Sequence, residues 1–253
     1  VKAVSSTNLT AALRILAGRL PLAEPPEAAL AAEAWRQAWR PKRVRLLLLA
    51  ESHMATSAEE LDSPLRLPPG LAWPVPAGFV RHVYCPAYGE PALVPHLPAG
   101  NAGTPQYWRL LAALEGGAAP TRAALPALGA RLAAKAALLH RLRARGIWLT
   151  DASLVAVAGP GGARTGATLH AAAIAESWRL HHGAALPALD PAQVVVIGRA
   201  VAGVLQAALD LAFPGRWQAV PQPMGARGAA PAAALHATLA EAARRHAPSA
   251  AGG

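Results

Sequence analysis

The chain has 253 residues, 53% hydrophobic and 15% charged, which suits one large globular domain with a sizeable core rather than a disordered chain. Its formal net charge of +10 favours polyanionic partners, of which nucleic acid is the commonest. The single cysteine, Cys85, rules out an internal disulfide and a multi-cysteine metal site.

Two helices are predicted first, over 7–19 and 26–39, with Thr7 or Asn8 as a cap and Pro25-Pro26 as the break before the second. Trp39-Arg40-Pro41 ends that helix, because proline cannot continue it and restricts the residue before it. Val44 to Leu49 is an almost unbroken apolar run, the pattern of a parallel strand covered on both faces. It is far too short to span a bilayer, and no signal-peptide pattern opens the chain, so a cytoplasmic protein with no membrane partner is expected. The proline-rich 55–78 segment reads as an excursion, and Phe79 to Tyr84 as a short strand. After a loop over 86–103, Thr104-Pro105 opens a helix carrying Tyr107, Trp108, Leu110 and Leu111. A helix over 121–145 spaces Leu132, Leu138, Leu139 and Leu142 for one buried face and stops at Gly146. Then come a strand over Ile147 to Asp151, a loop at Gly159-Pro160-Gly161-Gly162, a helix over 167–182 and a strand over Val194 to Gly198. A helix over 199–211, a short strand from Gln218 to Val220 and a helix over 229–245 complete the series.

Strands separated by helices imply right-handed crossovers. The expected fold is α/β, a three-layer sandwich whose central, mainly parallel sheet of four or five strands is flanked by helices. Residues 1–246 are expected to form a single domain, which includes the N-terminal helices within 1–40, and 247–253 a flexible tail. A monomer is expected.

Ligands of such sheets bind beyond the carboxyl ends of the strands. That rule selects Glu51-Ser52-His53, Tyr84 to Tyr88, Asp151-Ala152-Ser153 and Pro221-Gln222-Pro223. Glu51 and Asp151 each end or follow an apolar strand, in a chain with only 14 acidic residues. A carboxylate placed there can hold a water as general base or stabilise developing positive charge, or it can simply cap a neighbouring element. His53 can donate to a leaving group or to phosphate, or bond a backbone carbonyl. Tyr84, Tyr88 and Trp73 offer faces for stacking on a planar base, whereas Trp148, in mid-strand, belongs to the core. Basic residues cluster at Arg40, Lys42, Arg43 and Arg45 and again at Arg141, Arg143 and Arg145. No Gly-x-Ser-x-Gly elbow accompanies Ser52, and no phosphate-loop motif is present. The histidines, His181-His182 included, form no metal-ligand spacing, so no metal and no cofactor are expected.

These segments, in order, resemble the uracil-DNA glycosylase superfamily over most of residues 43–228. Ala50-Glu51-Ser52-His53-Met54 stands where that superfamily has a motif of the type Gly-Gln-Asp-Pro-Tyr or Gly-Glu-Ala-Pro-Gly. Thr104-Pro105-Gln106-Tyr107-Trp108 is similar to the helix opening that follows the base-stacking region. Gly146 to Leu154 is similar to the strand whose Asn reads the base, and Val194 to Gly198 to a later strand that precedes a helix. Val220-Pro221-Gln222-Pro223-Met224 is similar to the His-Pro-Ser loop that inserts at the minor groove. The Ala-Glu-Ser-His and Gly-Ile-Trp-Leu-x-Asp-Ala-Ser patterns resemble a divergent bacterial branch.

The resemblance implies a DNA-base glycosylase that flips a damaged or deaminated base and hydrolyses its N-glycosidic bond. Glu51, His53 and Asp151 would be catalytic, and Ser52, Tyr84, Tyr88, Ser153 and Gln222 would bind the substrate. Arg43, Arg199 and Arg227 would contact DNA, duplex or single-stranded. The sequence departs from the pattern at sensitive places: Ser52 for the catalytic Asp of the first motif form, His53 for proline, Asp151 for Asn and Gln222 for histidine. An ionised Asp151 repels the acceptor oxygens of uracil and selects an amino or ring N–H donor instead. Some relatives carry an iron–sulfur cluster, for which one cysteine cannot supply four thiolates. Two other readings stay open: a catalytically silent or covalent nucleic-acid-binding module on the same fold, and a small-molecule serine hydrolase using Ser52, His53 and a carboxylate.

Overall fold

The computed structural model describes residues 6–97, 100–157, 166–224, 226 and 228–248. Among these, β1 (Leu46–Ala50), β2 (Ile147–Asp151), β3 (Gln193–Ile197) and β4 (Trp217–Val220) form one all-parallel sheet in the order β2-β1-β3-β4. Every residue of β1 and β2 is buried; the unbroken apolar run of β1 is that of a strand covered on both faces, while β2 buries the polar Thr150 and Asp151 as well. The chain leaves β1 towards β2 on one side and returns to β3 on the other, so β1 and β3 flank a topological switch point.

Helices flank the sheet. α1 (Ser6–Arg19) packs on α2 (Pro26–Ala38) and on α6 (Ala167–Ser177), and a small second core of Leu13, Leu16, Leu154, Val155 and Val157 lies there. A one-turn α3 (Ala58–Leu61) carries a capping box between Ser57 and Glu60. α4 (Pro105–Ala113) packs on α9 (Ala229–His246), which lies on β1. α5 (Leu128–Arg145) packs on β2, and α8 (Arg199–Ala212) on β3 and β4. Among the described residues no helix is long and apolar enough to cross a membrane.

Local chemistry explains where the expected elements shift. α1 begins at Ser6, so Thr7 and Asn8 sit inside its first turn rather than capping it. Phe79 to Tyr84 is not a strand but a buried run of bends and turns. Both edges of β1 are already taken by β2 and β3, and residues suited to a half-buried strand suit a buried turn equally well. α5 starts at Leu128 rather than 121, because Pro126 drives the residue before it out of helical geometry. The helix expected over 167–182 changes at Trp178–His182 into a π-helical segment, followed by a short α7 (Gly183–Ala185). Ala247, expected in the flexible tail, is fully buried, and its carbonyl accepts a 2.7 Å hydrogen bond from Arg145 Nε. The predicted loop at 159–162 lies outside the described residues.

At Gly146 any side chain would be strained. Gly146 caps α5 with φ +81°, and a Cβ there would lie 2.8 Å from the Arg43 carbonyl oxygen. That tight turn feeds the chain directly into β2.

Candidate functional site

β1 and β2 end in register, Ala50 opposite Asp151, so the chain carries Glu51 out of the sheet beside Asp151. A cleft of about 390 Å³ opens beyond these ends, within the range of small-molecule sites. Glu51, His53, His82 and Asp151 line it, with Tyr88 and Tyr107 as aromatic walls and Gln222 at its margin.

The floor is a buried charge network centred on Arg36, which α2 carries to the sheet. The Arg36 guanidinium donates to Asp151 Oδ2 at 2.5 Å, to His53 Nδ1 at 2.8 Å and to Glu33 Oε2 at 3.0 Å. Burial alone would raise the Asp151 pKa, but Arg36, aided by His53 and His82, holds the carboxyl well below the usual range. The contacts of Asp151 to Arg36, His53 and His82 all run through Oδ2, and the residue lines the cleft.

His53 lies between two anchors. Its Nδ1 faces the Arg36 donor, which leaves the ring proton on Nε2, 2.7 Å from Glu24 Oε1. Glu24 is itself fixed by the backbone N–H groups of Ala156 at 2.9 Å and Thr56 at 3.3 Å. Burial pushes the His53 pKa down, but Glu24 and the nearby Asp151 carboxylate outweigh it, so the ring titrates above its ordinary value. A proton gained at Nδ1 would turn towards Asp151 Oδ2, 3.8 Å away.

His82 does the opposite. Burial drives its pKa down to about 3, so the ring is neutral. Its Nδ1 accepts from the Tyr84 backbone N–H at 3.1 Å, which puts the proton on Nε2, 3.8 Å from Asp151 Oδ2. The cleft therefore contains a neutral N–H donor next to an ionised carboxylate.

Glu51 stands at the mouth with its side chain 18% exposed. Gln222 Nε2 donates to its Oε2 at 2.7 Å, and His170 Nε2 contacts its Oε1. These contacts fix the carboxylate at the point where β1 opens into the cleft. Gly198, at φ +122° between β3 and α8, makes this arrangement possible: a Cβ there would come within 3.2 Å of the Gln222 side chain.

Comparison with protein-family models, curated proteins and solved structures finds no match to this chain. The geometry stands by itself.

Of the residues expected at the site, Glu51, Ser52, His53, Tyr88, Asp151 and Gln222 come together around one cleft. Tyr84 does not: it is 3% exposed, and its hydroxyl accepts from the Leu149 backbone N–H at 3.0 Å, so it is core and cannot stack on a ligand. Trp73 is also core, its Nε1 donating to the Tyr84 carbonyl at 2.9 Å. Ser153 is fully buried and donates to the Val155 carbonyl, a turn-forming role with no access to the cleft. Ser52 Oγ donates to the His53 carbonyl at 2.9 Å and accepts from Val157 N–H, while the His53 ring is held by Arg36 and Glu24. The two side chains form no nucleophile–base pair, which removes the serine-hydrolase arrangement. Arg43 precedes β1 and lies at the opposite end of the sheet from the cleft, whereas exposed Arg199 follows β3 on the cleft side. Arg227 lies outside the described residues.

Five residues of the site were not singled out from sequence: Glu24, Arg36, His82, Tyr107 and His170. One signal was available for Arg36. It sits with Glu33 at i, i+3 beside Trp35 on the face of α2 that the alanines mark as buried. A charged pair on such a face is held for a partner elsewhere in the fold. Among the described residues no group of three or more His, Cys, Asp or Glu side chains could hold a metal ion.

Proposed function

We propose that this chain is a DNA-base glycosylase-like hydrolase of the kind its motifs resemble, acting on a flipped base in the cleft. The observation that carries the reading is Glu51: a partly exposed carboxylate at the cleft mouth, oriented by Gln222 and His170 beside the ionised Asp151. Glu51 positions the water that attacks the sugar carbon and stabilises positive charge on the sugar as the glycosidic bond breaks. Tyr88, whose hydroxyl is kept protonated by a pKa pushed up to about 12 by burial, and Tyr107 supply the faces between which a planar base rests.

Asp151 accepts from a donor edge of the base, and neutral His82 offers Nε2–H to negative charge developing on the departing base. Gln222, where the resemblance has a histidine, positions Glu51 rather than the leaving group. His53 acts one layer further back, holding Asp151 and Arg36 in place. Arg199 and the net charge of +10 favour a phosphate backbone along the cleft side. Met224, 68% exposed and two residues beyond Gln222, stands where a side chain would enter the stack to replace the extruded base.

The test is base release from duplex and single-stranded oligonucleotides carrying uracil, hypoxanthine, xanthine or an oxidised pyrimidine. One base should be released, and Glu51→Gln should slow its release by about a hundredfold or more. Absence of release from every substrate, with salt-sensitive binding intact, would instead select the silent binding module. Absence of binding as well would end the nucleic-acid reading.

A further inference from the structure

On the other side of β2 lies a second cavity, of about 340 Å³. The strand is a shared wall: Leu149 and Asp151 line the first cleft, while the alternate residues Trp148 and Thr150 line the second. The opposing side is built by the π-helical segment Trp178–His182, and such i→i+5 turns concentrate at functional sites.

His182 projects from that segment into the lining. It is 3% exposed, and neither of its ring nitrogens has a hydrogen-bond partner. Burial, then the neighbouring His181, holds its pKa down at about 3, so the neutral ring carries one N–H donor and one lone pair. Buried polar atoms are nearly always paired, and a ring with both nitrogens unmet beside a cavity points to a ligand.

The charges on the lining select its kind. Glu33 faces this cavity, but its oxygens are taken by Arg36 at 3.0 Å and Gln37 at 2.5 Å. Arg40 also lines the cavity and makes no ion pair among the described residues, so it is a cation on the lining open to an anionic ligand. The remaining wall is apolar, chiefly Leu30, Trp148 and Leu186.

We propose that this cavity binds a small carboxylic acid with an apolar body, its carboxylate on Arg40 and the His182 N–H and its body against Trp148, Leu30 and Leu186. The site is independent of the glycosylase reading, since none of its lining residues lines the first cleft.

Calorimetric titration of the full chain with 2-naphthoate and with its uncharged amide, 2-naphthamide, tests the proposal. Naphthoate should bind about tenfold or more tightly than the amide, because only the acid makes a charge-assisted contact to Arg40. Arg40→Met should abolish that preference, and His182→Leu should weaken naphthoate severalfold. Histidine-selective ¹⁵N spectra of the wild-type chain supply a readout that survives if a variant fails to fold: the His182 ring resonances should shift on adding naphthoate. No binding at millimolar naphthoate, equal binding of acid and amide, or naphthoate binding that neither variant alters would each overturn the proposal.

Discussion

Lowering the pH from 7 to 5 should destabilise the wild-type chain by about 2 kcal/mol more than the His182→Leu variant. The folded pKa of His182 is about 3 against an ordinary 6.5, so below pH 6.5 the unfolded chain binds a proton that the folded chain refuses. The contribution of the neutral ring is therefore full above pH 6.5 and lost as the pH falls towards 3. At pH 5 the linkage relation gives RT ln[(1 + 10^1.5)/(1 + 10^−2)], about 2 kcal/mol, and the figure hardly changes for any folded value below 4. His82, also held at about 3 by burial, contributes a similar loss to both proteins. His53 is shifted the other way, so its contribution is full below pH 6.5 and falls only as the pH rises; it too is common to both and cancels in the difference. Reversible urea unfolding followed by tryptophan fluorescence at the two pH values measures the effect. If the two proteins lose stability in parallel between pH 7 and 5, His182 takes up a proton in the folded state and the burial argument is wrong. At pH 7 itself the substitution should be close to neutral, because leucine removes an unsatisfied polar ring without opening a large void.

Arg36→Leu should destabilise by about 3–5 kcal/mol, since it strands the buried Asp151 and Glu33 carboxylates, and Arg36→Leu with Asp151→Leu should recover some of that loss in urea unfolding. Gly146→Ala should lower stability by about 1–3 kcal/mol through its positive φ and the close Arg43 carbonyl, with a lower midpoint at unchanged slope. Arg199→Ala should weaken oligonucleotide binding and reduce the logarithmic salt slope by about one, whereas Arg43→Ala, at the far end of the sheet, should leave both unchanged in anisotropy titrations.

Much of the frame can be read from the chain itself. Leu46 to Leu49 and Val194 to Ile197 are strands because nothing but two covered faces accommodates such runs, and the rule that ligands lie beyond strand ends then points to Glu51 and Asp151. What escapes that reasoning is everything contributed from a distance. Arg36 lies on an alanine-rich helix where a charged residue ordinarily faces solvent, and Glu24 lies in a connecting turn; their partners are set by how α2 docks, which no local pattern states. Tyr84 shows the converse error. An aromatic at an apparent strand end looks available for stacking, yet its hydroxyl is needed by the Leu149 N–H and its ring by the core. The π-helical turn at Trp178–His182 has no periodicity signature of its own, so the second cavity appears only in three dimensions.

The Arg36–Asp151 contact joins residues 115 positions apart, and Glu24 accepts from Ala156 across 132 positions. During synthesis α2 emerges long before Asp151 and Ala156, so Arg36 has only its helix neighbour Glu33 to pair with and Glu24 stays solvated. The buried network is consequently completed only when β2 joins β1 and α2 docks on it, and its formation is as non-local as the pairing of the sheet. A nascent chain that ends before residue 147 has β1 and helices α1 to α5 but lacks Asp151, and with it the partner that ties Arg36 to the sheet.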